Sequence, residues 1–165
     1  MGRETERKFL VEGQSWRQGA AGIQYRQGYL SAAEECVVRI RTAGERGFLT
    51  VKGRKTGLSC PEYEFEIPLR EAEELLERHC HRPLIEKIRY TFDFKGMTWE
   101  IDEFKGENEG LIVAEVELAE EDQHIEIPDW AGREVSLDPK YRNVNLMRCP
   151  YCSWSQEVKM HCGHR

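Results

Sequence analysis

Glu4-Thr5-Glu6-Arg7-Lys8-Phe9-Leu10-Val11 sets two carboxylates and an ammonium at alternate positions. Successive side chains of an extended strand point to opposite faces, so Glu4, Glu6 and Lys8 share one face while Phe9 and Val11 share the other. For a single strand, a charged face is ordinarily the solvated side of an antiparallel sheet. Recurrence of the pattern along the chain changes that reading.

Ile23 to Leu30 reads as a second strand, with aromatic and apolar residues at every second position. In Cys36 to Thr42, Val38 and Ile40 oppose Arg39 and Arg41. After a turn at Gly44 to Gly47, Leu49 and Val51 oppose Thr50, Lys52 and Arg54. Glu62-Tyr63-Glu64-Phe65-Glu66-Ile67 is the plainest case, three carboxylates against three apolar side chains. Leu84 to Phe94 sets Ile88 and Tyr90 against Lys87 and Arg89, and the strands at Thr98 to Phe104 and Leu111 to Leu118 carry Glu100, Asp102, Glu115 and Glu117.

Between these strands, Leu69, Ala72, Leu75, Leu76 and Cys80 recur at helical spacing, which predicts an amphipathic helix over Leu69 to His81 whose acids form its wet face. A short helix or turn is expected near Ser15-Trp16 and a short helix over Glu120 to Glu126. A turn is expected over Pro128 to Gly132, and a helical segment from Asn143 to His161.

The polar faces thus carry almost only carboxylates and cations, and the apolar faces carry enough Phe, Trp, Ile and Val to pack against something. A closed antiparallel barrel uses both: a charged lumen inside, and an apolar outside covered by helices or by a partner subunit, as in a homodimer. Enclosed charges are costly unless paired or ligated, so this many of them imply an anionic substrate and metal ions that complete the neutralisation. Carboxylate oxygens suit Mg²⁺ or Mn²⁺, and Arg and Lys suit phosphate oxygens.

Composition sets the outer bounds. The 165 residues fit one domain, 39% of them hydrophobic and 33% charged, with 24 Lys plus Arg against 30 Asp plus Glu for a net charge of −6. An acidic chain is not drawn to nucleic acid or to an anionic membrane by its overall field. With no apolar run after Met1 and no stretch near the roughly 20 apolar residues of a membrane span, the expected location is the cytoplasm. The six cysteines then read as reduced thiols or metal ligands.

Taken in order, Glu4-x-Glu6-x-Lys8, Val38-Arg39-Ile40-Arg41, Thr50-Val51-Lys52-Gly53, Glu62-Tyr63-Glu64, Lys87-Ile88-Arg89-Tyr90, Trp99-Glu100-Ile101-Asp102-Glu103-Phe104 and Ala114-Glu115-Val116-Glu117 resemble the CYTH, or triphosphate tunnel metalloenzyme, family. Pro128-Asp129-Trp130, Glu134-Val135 and Tyr141-x-Asn143 extend the likeness to about residue 146. The resemblance implies a mainly β, α+β fold: an eight-stranded antiparallel tunnel with flanking helices over residues 1–146, which binds a triphosphate and one or two divalent cations. Lys8, Arg39, Arg41, Lys52, Arg54, Lys87 and Arg89 carry over as phosphate ligands. Glu4, Glu6, Glu62, Glu64, Glu100, Asp102, Glu115 and Glu117 carry over as the metal side. Glu6, Lys87 and Glu117 are the candidates for preparing the attacking water, with a metal-bound water as the first choice. Tyr29 is either a gate at one mouth or, the commoner case, a packed strand aromatic.

The expected activity is metal-dependent hydrolysis of inorganic triphosphate to pyrophosphate and phosphate. Alternatives using the same tunnel are a class IV-like adenylate cyclase, a thiamine or nucleoside triphosphatase, or a non-catalytic polyphosphate or nucleotide binder. Residues 147–165 lie outside the resemblance as a helical tail. There Cys149, Cys152, His161, Cys162 and His164 have the residue types of a structural Zn²⁺ site.

Overall fold

The computed structural model describes residues 2–155. Nine strands form: β1 (Gly2–Val11), β2 (Gly22–Ala33), β3 (Cys36–Ala43), β4 (Arg46–Gly53), β5 (Ser59–Ile67), β6 (Ile85–Phe94), β7 (Met97–Phe104), β8 (Ile112–Glu117) and β9 (Ala131–Glu134), with helices α1 (Leu69–Arg78) and α2 (Asn143–Arg148). The order β5-β4-β3-β2-β6-β7-β8-β1 closes on itself through β1 and β5, an all-antiparallel ring of eight strands. That closure is the shortest pairing of the ring, four register pairs from Gly2 opposite Glu62 to Thr5 opposite Ser59. The second half of β1 pairs instead with β9, Phe9 opposite Glu134 and Val11 opposite Ala131.

Strand alternation sorts the side chains as expected, and separate pieces of chain cover two parts of the outer face, while Tyr63 and Phe65 of β5 stand exposed. Phe9, Trp99, Ile101, Ala114 and Val116 pack outside β1, β7 and β8 beneath Trp16, Ile125 and Trp130. Outside β3 and β4, α1 lays Ala72 and Leu76 on Ile40, with Leu49 and Ile67 around them. The helix follows Pro68, whose carbonyl accepts the Ala72 N–H at 3.0 Å. Its close approach depends on Gly47, where a Cβ would stand 2.7 Å from that of Ala72.

The interior is not charged throughout, and here the structure departs from the expected lumen. Leu10 lies two residues past Lys8 on the same face, Ile85 two before Lys87, Phe104 two past Asp102 and Val113 two before Glu115. These four join Tyr29, Leu111, Val135, Tyr141, Leu146 and Met147 in one buried cluster. One end of the ring is therefore an apolar plug that the C-terminal segment completes. Arg148 pins α2 there by donating to the Ala32 carbonyl of β2. Asn108, 2% exposed, accepts the Tyr151 N–H at 2.8 Å.

Three local expectations are corrected. Glu120 to Glu126 is not a helix, because the Gln123 side chain turns back to accept the Ala119 N–H at 2.7 Å. Part of the expected Pro128 to Gly132 turn is strand, since Ala131 and Gly132 begin β9. The C-terminal helix stops at Arg148, ahead of Pro150, which has no N–H to continue it. Among the described residues no helix is long and apolar enough to cross a membrane.

Candidate active site

The charged side chains that alternation sent inward form two linked networks. In the first, Asp102, fully buried, accepts from the Lys87 ammonium at 2.8 Å and from the Arg89 guanidinium at 2.7 and 2.8 Å. Arg89 reaches on to Glu100 at 2.8 Å and to Glu115 at 3.3 Å, and Glu115 pairs with Lys8 at 3.1 Å. Burial pushes the Asp102 and Glu115 carboxyls up, but the surrounding cations outweigh it and hold both below the ordinary carboxylate range. Burial instead dominates at Lys87, opposed by Asp102 and aided by Arg89, and takes its ammonium down to about 8. Glu64, nearby on β5, accepts from Arg41 at 3.1 Å and from the Thr50 hydroxyl at 2.9 Å, with Arg39 at 3.6 Å.

The second network lines a cavity of about 410 Å³ between the ring and the Pro139–Arg148 segment. Lys52 stands between Glu4 at 2.5 Å and Glu62 at 3.1 Å. Burial and Arg39 work against the Lys52 ammonium, but Glu4, Glu62 and Glu6 outweigh them and raise its pKa above the ordinary value. Lys8 and Arg39 also face this cavity, as does Tyr29, a packed aromatic 3% exposed whose hydroxyl accepts from Gln27 at 3.1 Å. Tyr29 thus both packs in the buried cluster and lines the cavity.

Like charges confront one another at this end. Glu6 lies directly opposite Glu117 across the β1–β8 ladder, an arrangement that destabilises a sheet unless a cation intervenes. Burial, then Glu115 and Glu4, raise the pKa of Glu6; burial, then Glu4 and Glu6, raise that of Glu117. Lys55 comes only to 4.0 Å from Glu6. A hard divalent cation fits this all-oxygen, under-neutralised set. Among the described residues no three acidic, His or Cys side chains stand close enough together to hold a metal ion as they are.

Not every expected residue arrives. β4 ends at Gly53, so alternation no longer governs Arg54, which turns out to Glu35 at 3.1 Å with 59% of its side chain exposed. Lys55 takes the inward place, and Arg142 and Arg148 also line the cavity. The Arg142 Nε and the Asn143 Oδ1 are buried without hydrogen-bond partners. Periodicity could not find them, since they lie beyond the strands; the Tyr141-x-Asn143 match brackets Arg142 and was the available signal. Glu100, Asp102 and Glu115 reach the interior but are engaged by Arg89, Lys87 and Lys8, and of the three Glu115 is the one that also acts on Glu6. Of the expected zinc set, Cys149 and Cys152 are exposed, whereas His161, Cys162 and His164 lie outside the described residues.

The family model for the CYTH domain matches residues 2–145. The chain belongs to the CYTH family. An inorganic triphosphatase of Acetivibrio thermocellus is 51% identical over 156 residues, 94% of this chain and 100% of that one. An inorganic triphosphatase of Nitrosomonas europaea is 37% identical over 148 residues, 87% of this chain and 95% of that one. Among solved structures, that of an inorganic triphosphatase superposes with a TM-score of 0.65 at 34% identity, covering 89% of this CYTH chain and 95% of that one. A Pyrococcus horikoshii protein at 20% identity and TM-score 0.54, covering 72% of this chain and 80% of that one, shares the CYTH fold alone.

Proposed function

We propose that this CYTH protein is a divalent-metal-dependent hydrolase that splits inorganic triphosphate into pyrophosphate and phosphate within its ring of strands. The observation that carries this reading is the convergence of Lys8, Arg39, Arg41, Lys52, Lys87 and Arg89 from β1, β3, β4 and β6 on one interior beside an under-neutralised carboxylate edge. Its near-full-length relatives named inorganic triphosphatase support the same substrate.

Without substrate, the six cations rest on Glu4, Glu62, Glu64, Glu100, Asp102 and Glu115. A triphosphate displaces part of this pairing, since phosphate oxygens accept the same charge-assisted hydrogen bonds and guanidinium groups grip them bidentately. Glu4, Glu6, Glu62 and Glu117 would hold Mg²⁺ or Mn²⁺, which supplies Lewis acidity toward phosphate oxygens and lowers the pKa of a water. Glu6 and Glu117, opposite each other on the β1–β8 ladder, are the first carboxylate candidates to orient the attacking water as it loses its proton. Lys87, bonded to Asp102, contributes charge to the far side of the chain and is the second candidate for that proton. Lys55 and Arg142 extend the grip at the cavity mouth.

The test is to incubate the pure protein with tripolyphosphate, ATP and thiamine triphosphate, each with Mg²⁺ or Mn²⁺, and to separate the products. Release of pyrophosphate and phosphate from tripolyphosphate in preference to the others is expected. Cyclic AMP from ATP, or no turnover of tripolyphosphate with either metal, overturns the assignment.

A further inference from the structure

Tyr25 stands on the interior face of β2, two residues before Gln27, and carries no charge of its own. Three cations nonetheless gather at its ring: the Arg89 guanidinium 5.1 Å from the ring centre, that of Arg41 at 5.2 Å and the Lys87 ammonium at 6.0 Å. Two further rings interleave with them. Phe48 of β4 lies 5.2 Å from the Arg41 guanidinium, and Phe104 of β7 lies 5.6 Å from the Lys87 ammonium. The faces of aromatic rings are electron-rich and attract cations, more so where water is displaced.

Arg41 depends most on this arrangement. Burial, then the Arg39 and Arg89 charges, push its pKa down, and among the described residues only Glu64 lies within ion-pair range of it, shared with Arg39. Its Nε is buried without a hydrogen-bond partner. Arg89 and Lys87 by contrast are fixed by Asp102. Two aromatic rings against the guanidinium thus supply the attraction that the carboxylates do not.

We propose that Tyr25 is a positioning residue of the phosphate grip, whose ring, with Phe48, holds Arg41 toward the interior beside Arg89 and Lys87 before substrate arrives. The inference rests on the reading of those three cations as phosphate ligands. Preorganisation of this kind lowers the cost of binding and leaves the chemical step alone, because no atom of Tyr25 need touch the reacting phosphoryl group.

Tyr25→Leu, Tyr25→Phe and Phe48→Leu test it, with melting temperature measured alongside steady-state hydrolysis of tripolyphosphate. Tyr25→Leu should raise KM about tenfold, the scale of one or two partly desolvated cation–π contacts. Its kcat should stay within about twofold, the pattern of lost uniform binding. Tyr25→Phe, which keeps the ring, should behave as wild type. On an Arg41→Ala background Tyr25→Leu should add little further to KM, since the ring has lost the cation that needed it most. If Tyr25→Leu does not fold, Phe48→Leu decides, with the same rise in KM expected. Unchanged KM in a folded ring-deleted variant, a Tyr25→Phe defect as large as that of Tyr25→Leu, or full additivity with Arg41→Ala overturns the inference. An inactive wild type would fail the proposed function itself, and is seen before any variant is made. An active wild type whose KM rises with Arg41→Ala but not with Tyr25→Leu leaves the phosphate grip standing and removes Tyr25 from it.

Discussion

Replacing Lys87 with Met removes one buried charge and one titration. The Lys87 side chain is 1% exposed, and burial, opposed by Asp102 and aided by Arg89, brings its pKa from the ordinary 10.5 to about 8. Unfolding restores the ordinary value. Below pH 8 both states are protonated and the folded state carries the full penalty of enclosing the ammonium; above 10.5 neither is protonated and the penalty is gone. Between those limits the unfolded chain binds more protons, so the stability due to this group rises with pH across the window. At about 1.4 kcal/mol per pH unit the whole swing is on the order of 3 kcal/mol. Met fills similar space and cannot titrate, and the variant shares the other titrating groups with the wild type. Guanidinium unfolding in chelator-containing buffer, followed through the fluorescence of buried Trp16 and Trp99, measures both proteins on either side of the window. The difference in stability, wild type minus Lys87→Met, should shift in favour of the wild type by that amount as pH rises. Stability curves that run parallel would show that the ammonium carries no such burden in the folded protein, and would refute the reasoning.

Leu76→Ala, at a fully buried position beneath α1, should cost about 2–5 kcal/mol. At roughly 2–4 °C per kcal/mol for a chain of this size it lowers the melting temperature clearly while KM stays put; an unchanged melt would mean that α1 is not needed to cover β3 and β4. Arg54→Ala should leave KM for tripolyphosphate unaltered, because Arg54 faces solvent beside Glu35, whereas Lys55→Ala should raise it. The reverse order in steady-state kinetics would show that alternation does continue past Gly53. Glu6→Ala should abolish turnover and weaken calorimetric binding of Mg²⁺ or Mn²⁺ while the protein still melts cooperatively, and wild-type metal affinity in that variant would remove Glu6 from the metal side. Chelation of the wild type should stop hydrolysis, and excess Mg²⁺ or Mn²⁺ should restore it.

Much of the ring was legible because alternation is local. Glu62 to Ile67, or Lys87 to Tyr90, declares its two faces through backbone geometry alone, whichever strand lies beside it. Features that depended on a neighbour were not legible. β9 carries turn chemistry in Pro128-Asp129-Trp130-Ala131-Gly132 and is strand only where the second half of β1 offers Phe9 and Val11 as partners. Arg7 then binds Glu134 at 2.9 and 2.7 Å across that pairing. Arg54 was misdirected because parity says nothing about where a strand stops. The apolar end was hidden for the opposite reason: Leu10, Ile85, Phe104 and Val113 share faces with charged residues, and only stacking of the strands shows that they meet in one layer.

By itself the chain of residues determined which side chains share a face, the oxygen-rich and cation-rich chemistry of that face, and membership in the CYTH family. Tertiary structure alone decided that the shared faces enclose a space, through a seam of four residue pairs between strands some 55 positions apart in sequence. It also decided which ions meet, with Asp102 held by Lys87 and Arg89 while Glu6 is left facing Glu117. The physical reason is range. Side-chain direction follows from the dihedral angles of a few consecutive residues, whereas ion pairing and closure require distant segments to be brought together, and that is settled by packing across the whole molecule.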